Sequence, residues 1–371
     1  MIESPSLLVT LFAFLLVLGP LVMVHELGHY LVGRLFGVKV DAFSVGFGKE
    51  LAGWTDRHGT RWKLSALPLG GYVQFAGDWN AVSMPDAAMA GMNDAERAQT
   101  FHGKQLWQRG LIVLAGPLTN LLFAVAIFAA FNLAYGKIVA SSEIAGFSEN
   151  SAAQAAGLEI GDRIVALDGN RISSFTEIPE HVVPYAGKLV TIAVERDGRV
   201  LKVPVRIGLD IERDEFGNES RIGRLGISAG KVELEPVGPV AAVALGAEQS
   251  IGVMRMMVTG IGQIFAGERS VRELGGPIKI AKYSGEQFSL GWPQFVGFAA
   301  LISINLAFIN LLPIPGLDGG HLAFYAAEAV RRRPLDIRSQ EWALRTGLAL
   351  VLALMLFVTI NDLASLPVFG G

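Results

Sequence analysis

The sequence predicts a polytopic α-helical membrane protein with four spans, a membrane-associated β-hairpin region and a small β-rich outer domain. Three observations carry this. Hydrophobic residues make up 51% of the 371 residues and charged residues only 18%, where a soluble domain carries about 25% charge; the mean hydropathy is +0.43. The apolar residues fall in four long, nearly uncharged blocks. Between the second and third blocks the chain turns polar and shows strand and turn patterns.

The first block, residues 4–24, contains no charge. It reads as a span and not as a cleaved leader: no Lys or Arg precedes it, and no small-residue cleavage site succeeds it. The chain continues instead into His25-Glu26-Leu27-Gly28-His29. The second block is 110–136, just after Arg109, and the third is 287–317, closed by Asp318. The fourth, 342–361, is interrupted only by Arg345, which can snorkel to the interface.

Orientation follows from the short loops. Residues 1–6 and 362–371 contain no Lys or Arg. Arg331, Arg332, Arg333 and Arg338 follow span three, and Arg34, Lys39, Lys49, Arg57, Arg61, Lys63, Lys104 and Arg109 follow span one. The positive-inside rule places both tails outside and these loops in the cytoplasm. The expected division is 1–136 (first membrane part with the hairpin region), 137–230 (outer domain and connector), 231–286 (amphipathic interfacial segment) and 287–371 (second membrane part).

Inside the first part, Val38, Val40, Phe43, Val45 and Phe47 near-alternate, as do Trp62, Leu64 and Leu67 before Gly70-Gly71-Tyr72, which predicts hairpin strands over 38–78. In the outer stretch, 151–157 reads as a short helix stopped by Gly157. Residues 190–194 and 200–205 read as strands joined through Asp197-Gly198. Residues 209–224 read as a charged, flexible connector.

A net charge of −3 argues against nucleic acid as a partner. With no cysteine, disulfides, zinc–thiolate sites, iron–sulfur clusters and thiol nucleophiles are excluded, and any metal must be held by Asp, Glu or the six His. On a helix, His25 and His29 share a face and can grip one ion, with Glu26 beside them to accept a proton from an activated water. Chance His spacing is the plain alternative, but ionisable groups continuing an apolar span are usually functional. A catalytic zinc takes three protein ligands. Asp318, at the proline-broken end of span three, is the candidate third; a helix cap is its bland reading, and His321 a lower-ranked rival. Topology tests the pairing. If 238–267 lies on the membrane without crossing it, span three delivers Asp318 to the side of the His pair and keeps the arginine loop inside.

These motifs resemble those of the bacterial site-2 proteases, intramembrane zinc metalloproteases of the RseP type. His25 to His29 is similar to their HExxH, Asn310 through Gly319 to their NxxPxPxLDG motif, and Gly116-Pro117-Leu118-Thr119-Asn120 and Leu274-Gly275-Gly276-Pro277 to further family segments. The resemblance implies Zn2+ held by His25, His29 and Asp318, with Glu26 as general base. It implies that Asn310 contacts substrate or steadies the tetrahedral intermediate; helix–helix hydrogen bonding is its alternative reading. Residues 151–169 resemble the core of a circularly permuted PDZ domain, with room for one such domain where well-studied members carry two. The implied setting is the bacterial inner membrane. The implied partners are the lipid bilayer, single-span substrates such as a shortened anti-sigma factor in a stress response, remnant signal peptides, and a peptide ligand of the PDZ-like domain. In similar proteins a membrane-dipping sheet offers an edge to substrate. Two other classes remain on the sequence: a metal transporter, disfavoured by the lack of an inverted repeat, and a silent PDZ scaffold, disfavoured by the intact Glu26.

Overall fold

The computed structural model describes residues 5–77, 91–213, 219–268, 270–271, 274–333 and 335–364, so Asp78 of the expected hairpin and 365–371 of the tail lie outside the described residues. The chain divides into two units, Met1–Ile127 with Gly276–Ile360, and Phe128–Gly275 with Asn361–Gly371.

The first unit opens with α1 (Leu7–Leu35), whose first turn is capped by the Ser6 hydroxyl accepting from the Val9 amide. The helix does not stop at the end of the uncharged block; it runs on for about three further turns, which carry the His25–His29 motif. Strands β1 (Val40–Thr55) and β2 (Arg61–Phe75) form an antiparallel hairpin. The Asp56 carboxylate closes its turn, accepting from the His58 and Thr60 amides and the Trp62 indole. Residues 42–45 of β1 pair with 61–64 on one side and with 71–74 on the other, so the hairpin folds back on itself through a run of bulges. Val40, Phe43, Val73 and Phe75 bury one face against Leu27 and Tyr30 of α1. A one-turn helix α2 (Asp94–Arg97), held by an Asn93/Glu96 capping box, leads to α3 (Leu106–Tyr135).

The second unit runs through β3 (Lys137–Ala140), β4 (Ile144–Phe147), α4 (Ala152–Ala155), β5 (Arg163–Leu167), β6 (Asn170–Arg171), α5 (Ile178–Val182), β7 (Leu189–Arg196), β8 (Arg199–Arg206), β9 (Gly208–Arg213), β10 (Glu219–Arg224), β11 (Ile227–Ala229), β12 (Val232–Glu235) and α6 (Pro239–Phe265). Its four-stranded sheet has the order β6-β5-β7-β8, with β4 paired to β11 and β3 to β12. Asp197 and Gly198 both take positive φ, 51° and 73°, the backbone that a two-residue hairpin turn demands. Ile144, Ile164, Leu167, Ile192 and Val205 are fully buried between sheet and helices. The expected connector 209–224 is corrected: its ends, β9 and β10, pair antiparallel from Gly208–Arg224 to Arg213–Glu219. Arg224 and Asp210 pair across it at 2.6 Å.

The chain re-enters the first unit with α7 (Pro277–Leu290), α8 (Trp292–Leu311), α9 (Asp318–Arg331) and α10 (Ile337–Ala364). The third apolar block is not one helix: Gly291, at φ 115°, separates α7 from α8, and Pro293 opens the latter. Ala13, Val17 and Leu21 of α1 pack on Phe295 and Ile302 of α8, with Phe288 set edge-on to Phe12, Trp292 and Phe295. Among the described residues, four helices are long and apolar enough to cross a membrane: Leu7–Leu35, Leu106–Tyr135, Trp292–Leu311 and Arg338–Ala364. Leu350, Leu352, Leu354 and Leu356 of α10 are all exposed, the surface a lipid-facing helix presents.

One ion pair staples the second unit. Arg196 Nε and Nη2 grip Asp162 Oδ1 and Oδ2 at 2.6 and 2.7 Å, and the Glu159 amide adds a third bond to the carboxylate at 2.9 Å. The Arg196 hydrogen bonds hold the buried Asp162 carboxyl below the usual carboxylate range. A depressed carboxylate stabilises the fold above its unfolded pKa of about 3.9, and that contribution is lost as pH falls through the lower folded value. Hydrogen-exchange protection factors of β5 and β7 in the intact protein should fall below about pH 4. Asp162→Asn should lower the same protection factors at neutral pH, corresponding to about 1.5–3 kcal/mol.

Candidate metal centre

His25 and His29 stand one turn apart on α1, their rings edge-to-face at 4.9 Å between centroids. Asp318, the first residue of α9, meets them. His25 Nε2 and His29 Nε2 are 3.3 Å apart, and Asp318 Oδ2 lies 3.2 Å from the first and 3.5 Å from the second. Three donors bound tetrahedrally to one zinc at about 2.0–2.2 Å would be separated by roughly 3.3–3.6 Å. The triangle therefore has the edge lengths that a shared ion requires. The donor chemistry also fits, since Asp318 Oδ2 is a buried carboxylate oxygen with, among the described residues, no hydrogen-bond donor other than the two imidazoles. The two histidines, the carboxylate and one free position match a catalytic zinc site.

The sequence builds this triangle through three local devices. The first is the way the imidazoles are aimed. His29 Nδ1 donates to the Ile112 carbonyl of α3 at 2.9 Å, which leaves the Nε2 lone pair pointing into the triangle. The second is a close crossing of α1 and α3. A Cβ on Gly28 would collide with Thr119 Oγ1 and lie 2.5 Å from the Ala115 carbonyl oxygen; one on Gly116 would strike His29 Nε2 and lie 2.5 Å from its Cε1. Small residues let the two backbones approach, as in other membrane helix pairs. The third is the broken end of α8. Residues 312–317 turn through Ile314 N to Leu312 O (2.7 Å) and Leu317 N to Ile314 O (3.0 Å), and α9 restarts with Asp318 in its first turn. A Cβ on Gly319 would lie 2.5 Å from the Leu311 carbonyl carbon, so the turn closes only over glycine. The far end of α9 is tied to α3 by Arg109 and Glu328 (3.4 Å), with Arg109 over the Tyr325 ring at 5.0 Å.

Glu26 stays outside the donor triangle. Its Cγ faces β2, 3.2 Å from where a Gly71 Cβ would stand, and its carboxylate accepts from the Val73 amide. Asn310 sits half-buried in the last turn of α8, with no hydrogen bond to His25, His29 or Asp318. His321 lies one turn beyond Asp318, edge-on to Phe324 and outside the triangle. Sequence reasoning missed the roles of Ile112, Gly71, Gly116 and Asn120. Asn120 is fully buried and 3.4 Å from His25. Gly116 and Asn120 are four apart on α3, a one-face spacing that could have flagged them as a pair facing α1.

The crossing generates a direct test. Gly116→Ala places a methyl where the His29 ring lies, whereas a Cβ at Gly110 of the same helix meets nothing within 4 Å. Gly116→Ala should lower bound metal in the purified protein by at least about tenfold, the scale of a displaced support to a ligand. Gly110→Ala should leave metal content unchanged.

The similarities of the chain agree with this chemistry. It is 44% identical over 358 residues to a protein of Agrobacterium fabrum named "Putative zinc metalloprotease", covering 95% of each chain. It is 44% identical over 359 residues to one of the same name from Rhizobium meliloti, covering 95% of this chain and 96% of that protein. It is 36% identical over 386 residues to "Metalloprotease MmpA" of Caulobacter vibrioides, covering 98% and 97%. The model of peptidase family M50 matches residues 13–354, a span that holds both the histidine pair and Asp318. The chain belongs to peptidase family M50 and is a zinc metalloprotease.

Proposed function

We propose that this protease works within the membrane, hydrolysing a peptide bond in or beside the transmembrane segment of a single-span protein. The observation that carries the reading is the donor triangle itself, whose two imidazoles sit in the latter half of an apolar, span-length helix. In this reading His25, His29 and Asp318 hold the zinc. Bound zinc supplies Lewis-acid polarisation of the scissile carbonyl and makes a neighbouring water acidic. Glu26 takes the proton from the attacking water and returns it to the leaving amine. Ile112 keeps the His29 ring in its ligating tautomer. Asn310 contacts the substrate near the reacting carbonyl, or else ties α8 to a neighbouring helix.

A transmembrane helix hides its amides in its own hydrogen bonds, so the substrate must be held extended. Strand β2 supports such a step. Residues 71–75 pair with β1 along one side and with no other strand among the described residues, and Gly71 stands against Glu26. A substrate segment adding to that edge would lie beside the proton acceptor. The setting in this reading is the bacterial inner membrane with both termini periplasmic. The second unit forms a periplasmic PDZ-like domain that binds a peptide and admits substrates already shortened outside, such as an anti-sigma factor controlling a stress response, or remnant signal peptides.

Glu26→Gln in detergent-purified protein should cut cleavage of a single-span reporter by about 10²–10⁴-fold or more, with zinc retained. Near wild-type cleavage would end this hydrolase mechanism, and metal flux in proteoliposomes without cleavage would make the chain a transporter. Asp318→Ala should remove both zinc and cleavage, whereas His321→Ala should keep the metal; the reverse pattern in metal analysis would move the third ligand to His321.

A further inference from the structure

We infer that Asn120 is a positioning residue for His25, its side-chain oxygen accepting a hydrogen bond from His25 Nδ1–H and holding the ring in the tautomer that presents Nε2 to the metal. The inference rests on the zinc reading above. His25 Nε2 points into the donor triangle, 3.2 Å from Asp318 Oδ2, and a ligating nitrogen offers its lone pair. The proton of the neutral imidazole must then sit on Nδ1. Nδ1 is met by the Asn120 amide, whose nitrogen stands 3.4 Å away. That arrangement sets a donor against a donor. The Asn120 oxygen, meanwhile, is buried and accepts nothing, so no partner opposes a half-turn of the amide. Oxygen and nitrogen exchange places by that rotation, and the contact becomes Nδ1–H to Oδ1.

The surroundings favour this role. Asn120 has no exposed surface, and its backbone carbonyl accepts from the Ser303 hydroxyl of α8 at 2.8 Å, which pins that turn of α3. Ile112 and Asn120 are eight residues apart on α3, close to two turns, and each meets the outer nitrogen of one of the histidines. One helix therefore orients both imidazoles of the other. Outer partners of this kind typically change metal affinity by about 10–100-fold when removed.

The test is zinc affinity of the full-length protein, read by chelator competition, together with the visible absorption spectrum of the cobalt-loaded form. Asn120→Leu should weaken zinc about 10–100-fold and alter the cobalt bands. Asn120→Asp should bind zinc as well as wild type, because a carboxylate accepts from Nδ1–H. Were the amide nitrogen donating to His25 instead, Asp would fail as Leu does, and that result overturns the inference, as does wild-type affinity in Asn120→Leu. Should the leucine variant fail to fold, the aspartate variant alone decides: retained affinity supports the role and lost affinity removes it. His25→Ala is the reference. If His25→Ala leaves zinc affinity unchanged, the zinc assignment fails rather than the positioning role built on it.

Discussion

Holding two imidazoles of an apolar, span-length helix and a carboxylate within 3.5 Å of one another is the constraint on which the membrane unit depends. Buried charge of this kind is costly unless it is paired and hydrogen-bonded. The unit meets the requirement with a backbone carbonyl, a side-chain amide and a helix start. The Ile112 carbonyl serves His29, the Asn120 side chain faces His25, and the restart of a helix at residue 318 places the Asp318 carboxylate at the positive end of a helix dipole.

Those supports require α1 and α3 to run unusually close, which is why Gly28 and Gly116 face each other's helix. The leucine and glycine inside His25-Glu26-Leu27-Gly28-His29 thus have separate roles. Leu27 packs with the hairpin core, while Gly28 admits the neighbouring backbone. The hairpin completes the enclosure. Its buried face, with Val40, Phe43, Val73 and Phe75, rests on the turns of α1 around the histidines, and its glycine at 71 lets β2 reach Glu26. A fold that assembles its polar centre from a helix crossing, a broken helix and a strand edge leaves the remaining helix faces free to meet lipid.

The second unit obeys a different physics. Its core of Ile, Leu and Val is closed by a small sheet in the ordinary way, and a buried bidentate Asp162–Arg196 pair fixes the turn before β5 to the end of β7. The long ribbon of β9 and β10 looked like a flexible connector because its residues are charged and lack strict alternation. The register there is set by backbone pairing between residues 208–213 and 219–224, in which charged residues interrupt any apolar alternation.

The sequence alone determined the elements whose signal is local. Four nearly uncharged blocks, the four-residue spacing of His25 and His29, the Asp-Gly turn at 197–198 and the proline break before Asp318 are each readable within a local window, because helix period, turn chemistry and hydropathy act over that range. Charge asymmetry of the loops also argued that Asp318 reaches the side of the membrane where the histidines lie. Tertiary structure decided the rest. That Gly116 abuts an imidazole, that Ile112 and Asn120 stand behind the two histidines, and that β2 passes Glu26 all depend on contacts between residues tens of positions apart. The four-residue spacing of Gly116 and Asn120 marks a shared face, but what selects glycine and asparagine there is the shape of a neighbouring helix, and that neighbour exists only once the chain has folded.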